Sequence, residues 1–271
     1  MVFFIPSFKE IRNSKMKLFH KVYSNHNTSQ YVFILHGLFG MLDNWHNMAR
    51  KLSEHFNVVT LDQRNHGRSP HIDEMNYELM AEDLSNLMNL LQVKSAHVIG
   101  HSMGGKTAMK FADLYPDRIE KLVVVDIGPR RYKPGHKLYF NAFNSLDFSE
   151  CKSRKYADKL FAAIEKNLAV RQFLLKNLEK AEKGYKLKFN LKPIDDFYLQ
   201  MIDNLEFNWL INNPTLFLYG KKSDYITEED IHTIEDTFTQ ATFVGIEDAG
   251  HWVHAEKPIE FYTATSEFLQ K

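Results

Sequence analysis

The sequence has one cysteine, no long apolar run and no excess of charge of either sign. A lone Cys151 cannot close an intrachain disulfide or by itself build a structural zinc site, which favours a reducing, cytoplasmic location. The apolar stretch Leu122 to Val125 is followed at once by Asp126, and no stretch approaches the length of a membrane span. Lys plus Arg and Asp plus Glu both number 34, so no net field favours nucleic acid as a partner.

The chain has 271 residues, of which 44% are hydrophobic and 25% charged, as expected for one globular domain, with room for an insertion. The opening residues 1–6 are apolar but have no basic segment before them and are interrupted by Pro6. We therefore expect residues 1–17 to form a loose N-terminal tail.

Short apolar runs alternate with helix-period segments from about residue 18, a pattern typical of a parallel sheet covered by helices on both faces. The predicted helices include one over residues 77–91 with Asn76 as its N-cap, and Met103 to Leu114, which ends before Pro116. The predicted strands, all expected to be buried on both faces, are Leu18 to Tyr23, Tyr31 to Leu35, Asn57 to Leu61, Ala96 to Gly100 and Lys121 to Asp126.

The alternation stops after Pro129, which predicts a mainly helical lid over residues 130–213 between core segments 18–129 and 214–271. Within the lid we expect a short strand over Lys186 to Leu191 and aromatic residues that form its core. The surplus of lysine and arginine in the lid favours a solvated surface over an anion-binding site. One apolar helical stripe is predicted from Tyr156, Leu160, Ile164 and Leu168. The core resumes with strands at Thr215 to Tyr219 and Thr242 to Val244, then a helix from Pro258 to Leu269.

The strongest chemical signal is the segment Gly100-His101-Ser102-Met103-Gly104-Gly105 between a predicted strand and a predicted helix. A serine on such a tight turn needs small residues two positions away, and Gly100 and Gly104 meet that need. Its hydroxyl then projects from the sheet, close to the backbone N–H of Met103 and the positive end of the helix. We predict that Ser102 is a nucleophile; the alternative is a glycine-rich turn whose serine only caps the helix.

A serine nucleophile needs an oriented base, and His251 is the best placed of the thirteen histidines. It follows Ala249-Gly250, comes shortly after the last predicted strand and precedes a helix. A loop at the carboxyl edge of the sheet is where a base reaches a nucleophile on this turn. A structural role is the better prediction for His20, His26, His46, His55, His71, His97, His136 and His232.

Four motifs occur in the order and spacing of the α/β-hydrolase superfamily: His36-Gly37-Leu38, the segment Asp62 to Ser69, Gly100 to Gly105, and Gly250-His251-Trp252. The sequence most resembles the YbfF-type esterase branch, through His36 to Gly40, Lys106, Val125 to Pro129 and His251 to Pro258. This resemblance implies an α/β-hydrolase fold with a mostly parallel sheet, and the backbone N–H groups of Leu38 and Met103 as an oxyanion hole. We expect the segment Asp62 to Ser69 to be a structural turn in which Arg64 pairs with Asp62.

Two carboxylates compete to orient the histidine. Most superfamily members carry the acid three residues beyond a glycine after the penultimate strand, but here that position, counted from Gly220, is Ser223 and Asp224 comes one residue late. Asp126 ends a fully apolar strand, one strand from Ser102 at the same sheet edge, and a buried carboxylate is costly unless it has a partner. The branch that the sequence resembles also has its acid there. We favour Asp126 and keep Asp224 as the alternative.

These residues predict a serine hydrolase that cleaves carboxylic esters or thioesters of short to medium acyl chains through an acyl-enzyme. The predicted partner is a small acyl substrate; we expect no cofactor, metal, nucleic acid or membrane span, and a monomer or small homo-oligomer. The alternatives are a ligand-sensing module on a hydrolase frame, or another acyl-transfer or C–C hydrolase that uses the same three residues.

Overall fold

The computed structural model describes residues 16–151 and 153–271. Residues 1–15 of the predicted tail lie outside this described part. A seven-stranded sheet of order β1-β3-β2-β4-β5-β8-β9 forms the core, and β6 and β7 form a separate hairpin. The strands are β1 His20–Tyr23, β2 Tyr31–Leu35, β3 Asn57–Leu61, β4 Ala96–His101, β5 Ile119–Val125, β6 Leu178–Lys180, β7 Tyr185–Leu187, β8 Thr215–Gly220 and β9 Ala241–Ile246.

Helices cover both faces of the sheet. On one face lie the helices of Tyr77–Leu90, Met103–Leu114 and Glu228–Glu235, and on the other those of His46–Leu52 and Pro258–Gln270. No helix of the described residues is long and apolar enough to cross a membrane. The helices are α1 His46–Leu52, α2 Tyr77–Leu90, α3 Met103–Leu114, α4 Lys137–Ser145, α5 Arg154–Phe161, α6 Leu168–Leu175, α7 Leu191–Met201, α8 Glu228–Glu235, α9 Val253–Glu256 and α10 Pro258–Gln270.

The mostly parallel sheet predicted from the sequence is confirmed. Strands β2, β3, β4, β5, β8 and β9 run parallel to one another, whereas β1 pairs antiparallel with β3 at the sheet edge. The expectation that every strand is buried on both faces is wrong for β1, in which Lys21 and Val22 are exposed. An edge strand has one neighbour and lies outside the layer that the helices cover, so its side chains reach solvent.

The predicted boundaries of the two central helices agree with the structure. The Asn76 side chain accepts a hydrogen bond of 2.7 Å from the N–H of Leu79, so it caps α2 as expected. Helix α3 ends at Leu114, two residues before Pro116. The turn that carries Ser102 comes directly before this helix and connects it to β4.

The segment after β3 is a structural turn, but its ion pairs differ from the expected one. Asp62 accepts hydrogen bonds from the backbone N–H groups of Leu42 at 2.7 Å and Arg68 at 2.9 Å. Arg64 instead forms two hydrogen bonds to the carboxylate of Asp83 on α2, at 2.6 and 2.8 Å. The predicted pairing of Arg64 with Asp62 is wrong because the Asp62 carboxylate points into its own turn, above Gly67.

Between β5 and β8 the chain forms helices α4 to α7 and the hairpin β6–β7. Their buried aromatic side chains form a separate cluster that rests on Leu38, Tyr77 and Met103 of the core. Several predicted lid aromatics belong to this cluster, namely Phe140, Phe143, Phe161, Phe189, Phe197 and Tyr198. Trp209, by contrast, is 75% exposed.

The predicted apolar stripe of the lid is wrong. Its members Tyr156, Leu160, Ile164 and Leu168 are all exposed, and they do not share one helix, since α5 ends at Phe161 and α6 begins at Leu168. The buried side of α5 is formed instead by Ala157 and Phe161. The helix break rotates the second segment, so a single periodicity does not span it.

The strand predicted at residues 186–191 is shorter and begins earlier. Only Tyr185–Leu187 pairs, antiparallel to Leu178–Lys180, and α7 already begins at Leu191. The alternation of lysine with apolar residues continued beyond the hairpin into the turn before this helix. The partner strand β6 is only three residues long, so it limits the ladder.

Candidate active site

Ser102 lies on a tight turn between β4 and α3. Its backbone has φ 53° and ψ −119°, a conformation that residues other than glycine rarely adopt. A Cβ on Gly100 would lie 2.2 Å from the carbonyl oxygen of Gly104, and a Cβ on Gly104 would lie 2.5 Å from that of Leu35. Close backbone packing therefore requires both glycines and holds the serine in its strained conformation.

His251 lies in the loop between β9 and α9, with its ring over Ser102. Its Nε2 is 3.1 Å from Ser102 Oγ, within reach for proton transfer. The ring of Tyr225 stacks on the imidazole with centroids 4.0 Å apart and planes at 22°. Nε2 of His101 lies 2.9 Å from the backbone carbonyl oxygen of His251 and donates to it. These contacts fix both the ring and the loop that carries it.

Asp126 follows β5 and reaches the other side of the imidazole. Its Oδ2 is 2.7 Å from His251 Nδ1. Its Oδ1 accepts the N–H of Gly220 at 3.0 Å, and Oδ2 accepts the hydroxyl of Ser223 at 2.5 Å. The carboxylate is fully buried, so these donors replace the water that it has lost. The structure thus brings Ser102, His251 and Asp126 into one hydrogen-bonded chain.

The alternative acid lies elsewhere. Asp224 is exposed, and within the described residues its carboxylate forms no hydrogen bond to His251. Its backbone carbonyl accepts a hydrogen bond from Arg130 at 3.0 Å. Ser223 fills the position at which related proteins most often carry the acid, and its hydroxyl binds Asp126 instead. The hydrogen bond from Ser223 to Asp126 was not predicted from the sequence; a hydroxyl where an acid is usual was the available signal.

Burial sets the protonation states of the pair. It lowers the pKa of His251 to about 4, against the raising effect of the Glu256 and Asp224 charges, so the imidazole is neutral at pH 7. Burial also raises the pKa of Asp126 to about 7, and the hydrogen bonds from Ser223 and Gly220 oppose that rise. A protonated Asp126 would donate to Nδ1 and leave the imidazole proton on Nε2, the tautomer that cannot accept the serine proton.

The backbone near Ser102 offers candidate oxyanion donors. Met103 is the first residue of α3 and directly follows Ser102. Leu38 directly follows Gly37, and a Cβ added to Gly37 would lie 3.2 Å from Ser102 Cβ. The Leu38 loop is anchored by His36, whose Nε2 accepts the N–H of Gln63 at 3.0 Å. Leu38, Ser102 and Met103 line a common cavity. Leu38 and Met103 therefore both lie beside Ser102, and their role as oxyanion donors stays a prediction.

Several aromatic side chains around the site were assigned no functional role from the sequence. His101 packs beside His251, His254 packs against His101, and the ring of Trp45 stacks on His254 with centroids 4.0 Å apart. His136, expected to be purely structural, lines the cavity above Ser102, and its backbone N–H donates to Tyr198 at 2.9 Å. His101 and His254 lie within motifs that the sequence analysis names, but their contacts were not predicted because the cluster assembles from segments far apart in the chain.

A cavity of about 230 Å³ opens above the serine and histidine. Its walls combine core residues, among them Trp45 and Trp252, with the lid residues Val170 and Phe173. No group of three or more histidine, cysteine, aspartate or glutamate side chains in residues 16–151 and 153–271 is arranged to hold a metal ion. The hydrogen-bonded chain of Ser102, His251 and Asp126 can support nucleophilic attack by the serine, with the histidine as general base.

Residues 30–258 match the family described as alpha/beta hydrolase fold. This chain belongs to the α/β-hydrolase family. The chain is similar to esterase YbfF of Escherichia coli strain K12, with 38% identity over 248 residues that cover 91% of this chain and 95% of the relative. It is also similar to the sn-1-specific diacylglycerol lipase ABHD11 of Danio rerio, with 37% identity over 265 residues, 95% of this chain and 84% of the lipase.

A solved structure of a marine microorganism esterase shares the architecture of this α/β-hydrolase. It superposes with a TM-score of 0.90 and 41% identity over 93% of this chain and 99% of the esterase. The expected fold class and the resemblance to the YbfF-type branch are confirmed by these similarities.

Proposed function

We propose that this protein hydrolyses carboxylic esters or thioesters of short to medium acyl chains through an acyl-enzyme on Ser102. The observation that carries the proposal is the hydrogen-bonded chain from Ser102 Oγ through His251 to Asp126, with distances of 3.1 and 2.7 Å. The strained turn of Ser102 supports it, because a protein that only binds a ligand does not need that strain. Relatives named as esterases and lipases support ester hydrolysis as the general activity.

The mechanism follows from the protonation states. Neutral His251 accepts the Ser102 proton at Nε2 while Oγ attacks the acyl carbon, and the backbone N–H groups of Leu38 and Met103 stabilise the oxyanion. The imidazolium then gives its proton to the leaving oxygen or sulfur. Water repeats both steps on the acyl-enzyme and releases the acid. Asp126 keeps the proton of His251 on Nδ1 and stabilises the imidazolium.

We propose that the protein acts in the cytoplasm on a small acyl compound. Its proposed oligomeric state is a monomer or a small homo-oligomer. The buried free thiol of Cys151 is consistent with a reducing compartment. Nothing in this mechanism calls for a metal or an organic cofactor, since serine, histidine and aspartate supply nucleophile, base and orienting acid.

Purified protein mixed with p-nitrophenyl butyrate tests this function. We expect a burst of nitrophenol followed by steady turnover, and loss of both in Ser102→Ala. The thioester analogue, followed by thiol release, tests the sulfur substrates in the same way. If wild-type protein is inactive on oxygen esters and thioesters of several acyl lengths, the hydrolase proposal fails and a ligand-sensing role becomes the better account.

A further inference from the structure

Two cavities meet at Ser102. The outer cavity, of about 230 Å³, contains Ser102, His251 and Trp252 in its lining. The inner cavity, of about 30 Å³, lies on the side of Met103, Tyr77 and Met201. Both cavities share Ser102 and the oxyanion-side residue Leu38, so the two ends of one ester can occupy them at the same time.

The position of His251 decides which end enters which cavity. The leaving oxygen takes its proton from His251 Nε2, so the alcohol part of the substrate must lie on the histidine side of Ser102. Within the described residues, His251 lines the outer cavity and does not line the inner one. The alcohol therefore occupies the outer cavity. The acyl chain, on the opposite side of the carbonyl carbon, enters the inner cavity past Leu38 and Met103.

The inner cavity is small and its walls are anchored. Its volume of about 30 Å³ holds about two or three water-sized groups, which matches the carbons beyond the carbonyl of an acetyl, propionyl or butyryl group. The hydroxyl of Tyr77 donates to the carbonyl of Met201 at 2.9 Å, and that of Tyr132 donates to the carbonyl of Tyr225 at 2.9 Å. These backbone partners hold the two rings in place on the wall of the cavity.

The outer cavity is much larger than the inner one, at about 230 Å³ against about 30 Å³. Its walls include Phe39, Val170, Phe173 and Leu174, so it suits an apolar group. Phe173 of α6 and Trp252 pack with ring centroids 5.7 Å apart, and both also line an open groove of about 850 Å³ beyond the cavity. An alcohol larger than the cavity can extend along this groove.

We propose that the enzyme is selective for esters of acyl groups with about two to four carbons on bulky apolar alcohols, with Tyr77 and Met201 as the residues that limit acyl length. This assignment rests on the proposed function, because it uses His251 as the proton donor to the leaving group. It narrows the acyl range that the catalytic residues alone allow.

A pair of isomeric esters tests the assignment in the wild-type protein. Phenethyl acetate has a small acyl group and a bulky alcohol, and ethyl phenylacetate has the reverse, so the two differ only in orientation. We expect kcat/KM, followed by pH-stat titration, to be at least about tenfold higher for phenethyl acetate. An equal or higher value for ethyl phenylacetate would overturn the assignment of the cavities.

A matched pair of variants tests the residues. Met201→Ala enlarges the inner cavity without removing the carbonyl that Tyr77 binds, and should raise the kcat/KM ratio of p-nitrophenyl octanoate to acetate by about tenfold. Phe173→Ala, in the outer cavity, should change that ratio by less than about twofold. A larger shift in Phe173→Ala than in Met201→Ala would overturn the proposal.

The outcomes separate this proposal from the general function. Ser102-dependent hydrolysis with the wrong isomer preference rejects the cavity assignment and leaves ester hydrolysis intact. Absence of Ser102-dependent hydrolysis of both isomers and of all p-nitrophenyl esters rejects both. If Met201→Ala does not fold, the wild-type comparison of the isomers decides the question without it.

Discussion

The two sides of the active site are built differently. On the sheet side, Ser102 and Asp126 directly follow neighbouring parallel strands, and His251 lies in the loop after β9, so backbone geometry places all three. On the lid side, the walls are aromatic and aliphatic side chains from short helices. These helices contact the core through packing and through hydrogen bonds such as that from the Tyr77 hydroxyl to the Met201 carbonyl. The position of the reacting groups therefore depends on the backbone of the sheet and its loops. The fit of the substrate depends on the volume of the lid side chains.

The largest effect on activity is expected from a change on the sheet side. Asp126→Asn leaves the fold of the site intact but removes the carboxylate that sets the histidine tautomer, so we expect kcat to fall by about 10⁴. The matched variant Asp224→Asn removes an exposed carboxylate and should keep kcat within about twofold. Both are measured with p-nitrophenyl butyrate. The reverse pattern would transfer the orienting role to Asp224.

The sheet side was largely predictable from sequence, for a physical reason. Carboxyl ends of adjacent parallel strands meet at one edge, so Ser102 after β4 and Asp126 after β5 had to be neighbours. Glycine spacing also marks the turn, since only glycine fits the contacts of Gly100 and Gly104. The hydrogen bond from Ser223 to Asp126 was not predicted, although a hydroxyl at a position where an acid is usual was a signal for it.

The lid side was less predictable, because its contacts join residues distant in sequence. The periodicity of residues 156–168 continued across the end of α5, and nothing local showed that the next helix turns away. His136 reaches the site through packing with Tyr198. Such contacts depend on the assembled fold, and local pattern does not encode them.

The pH dependence gives the next largest effect. As pH falls through the raised pKa of about 7 of Asp126, the pair gains a proton and Nε2 no longer accepts the serine proton. We therefore expect kcat/KM to decline below about pH 7, by about a factor of ten per pH unit. A profile of kcat/KM against pH measures this. A flat profile down to pH 5 would contradict the proton assignment.

Ser223→Ala also changes the sheet side, and we expect a smaller effect on kcat than from Asp126→Asn. It removes a hydrogen bond of 2.5 Å that favours ionised Asp126, so we expect kcat to fall about tenfold at pH 7. The acid limb of the pH profile should also move to higher pH, because the Ser223 hydrogen bond lowers the pKa of Asp126. Ser223→Thr keeps the hydroxyl and should restore both. A loss of activity with an unmoved acid limb would indicate only a structural role.

The smallest effect on activity is expected where the lid returns to the core. Lys110 on α3 is buried, donates to the backbone carbonyl of Glu206 and pairs with Asp113 at 3.3 Å. Lys110→Met leaves these groups short of a donor, and should cost about 1 to 3 kcal/mol of unfolding free energy with kcat within about twofold. Thermal unfolding and kcat are measured on the same sample. A large fall in kcat without a lower Tm would show that the two sides are not independent.

The most direct test of the central claim is to map where the protein is covalently labelled. Wild-type protein treated with a fluorophosphonate should carry one adduct on the peptide that contains Ser102, and the rate of labelling should fall strongly in His251→Ala. Peptide mass spectrometry identifies the labelled residue. An adduct on another residue, or ester turnover with Ser102 unlabelled, would contradict the account.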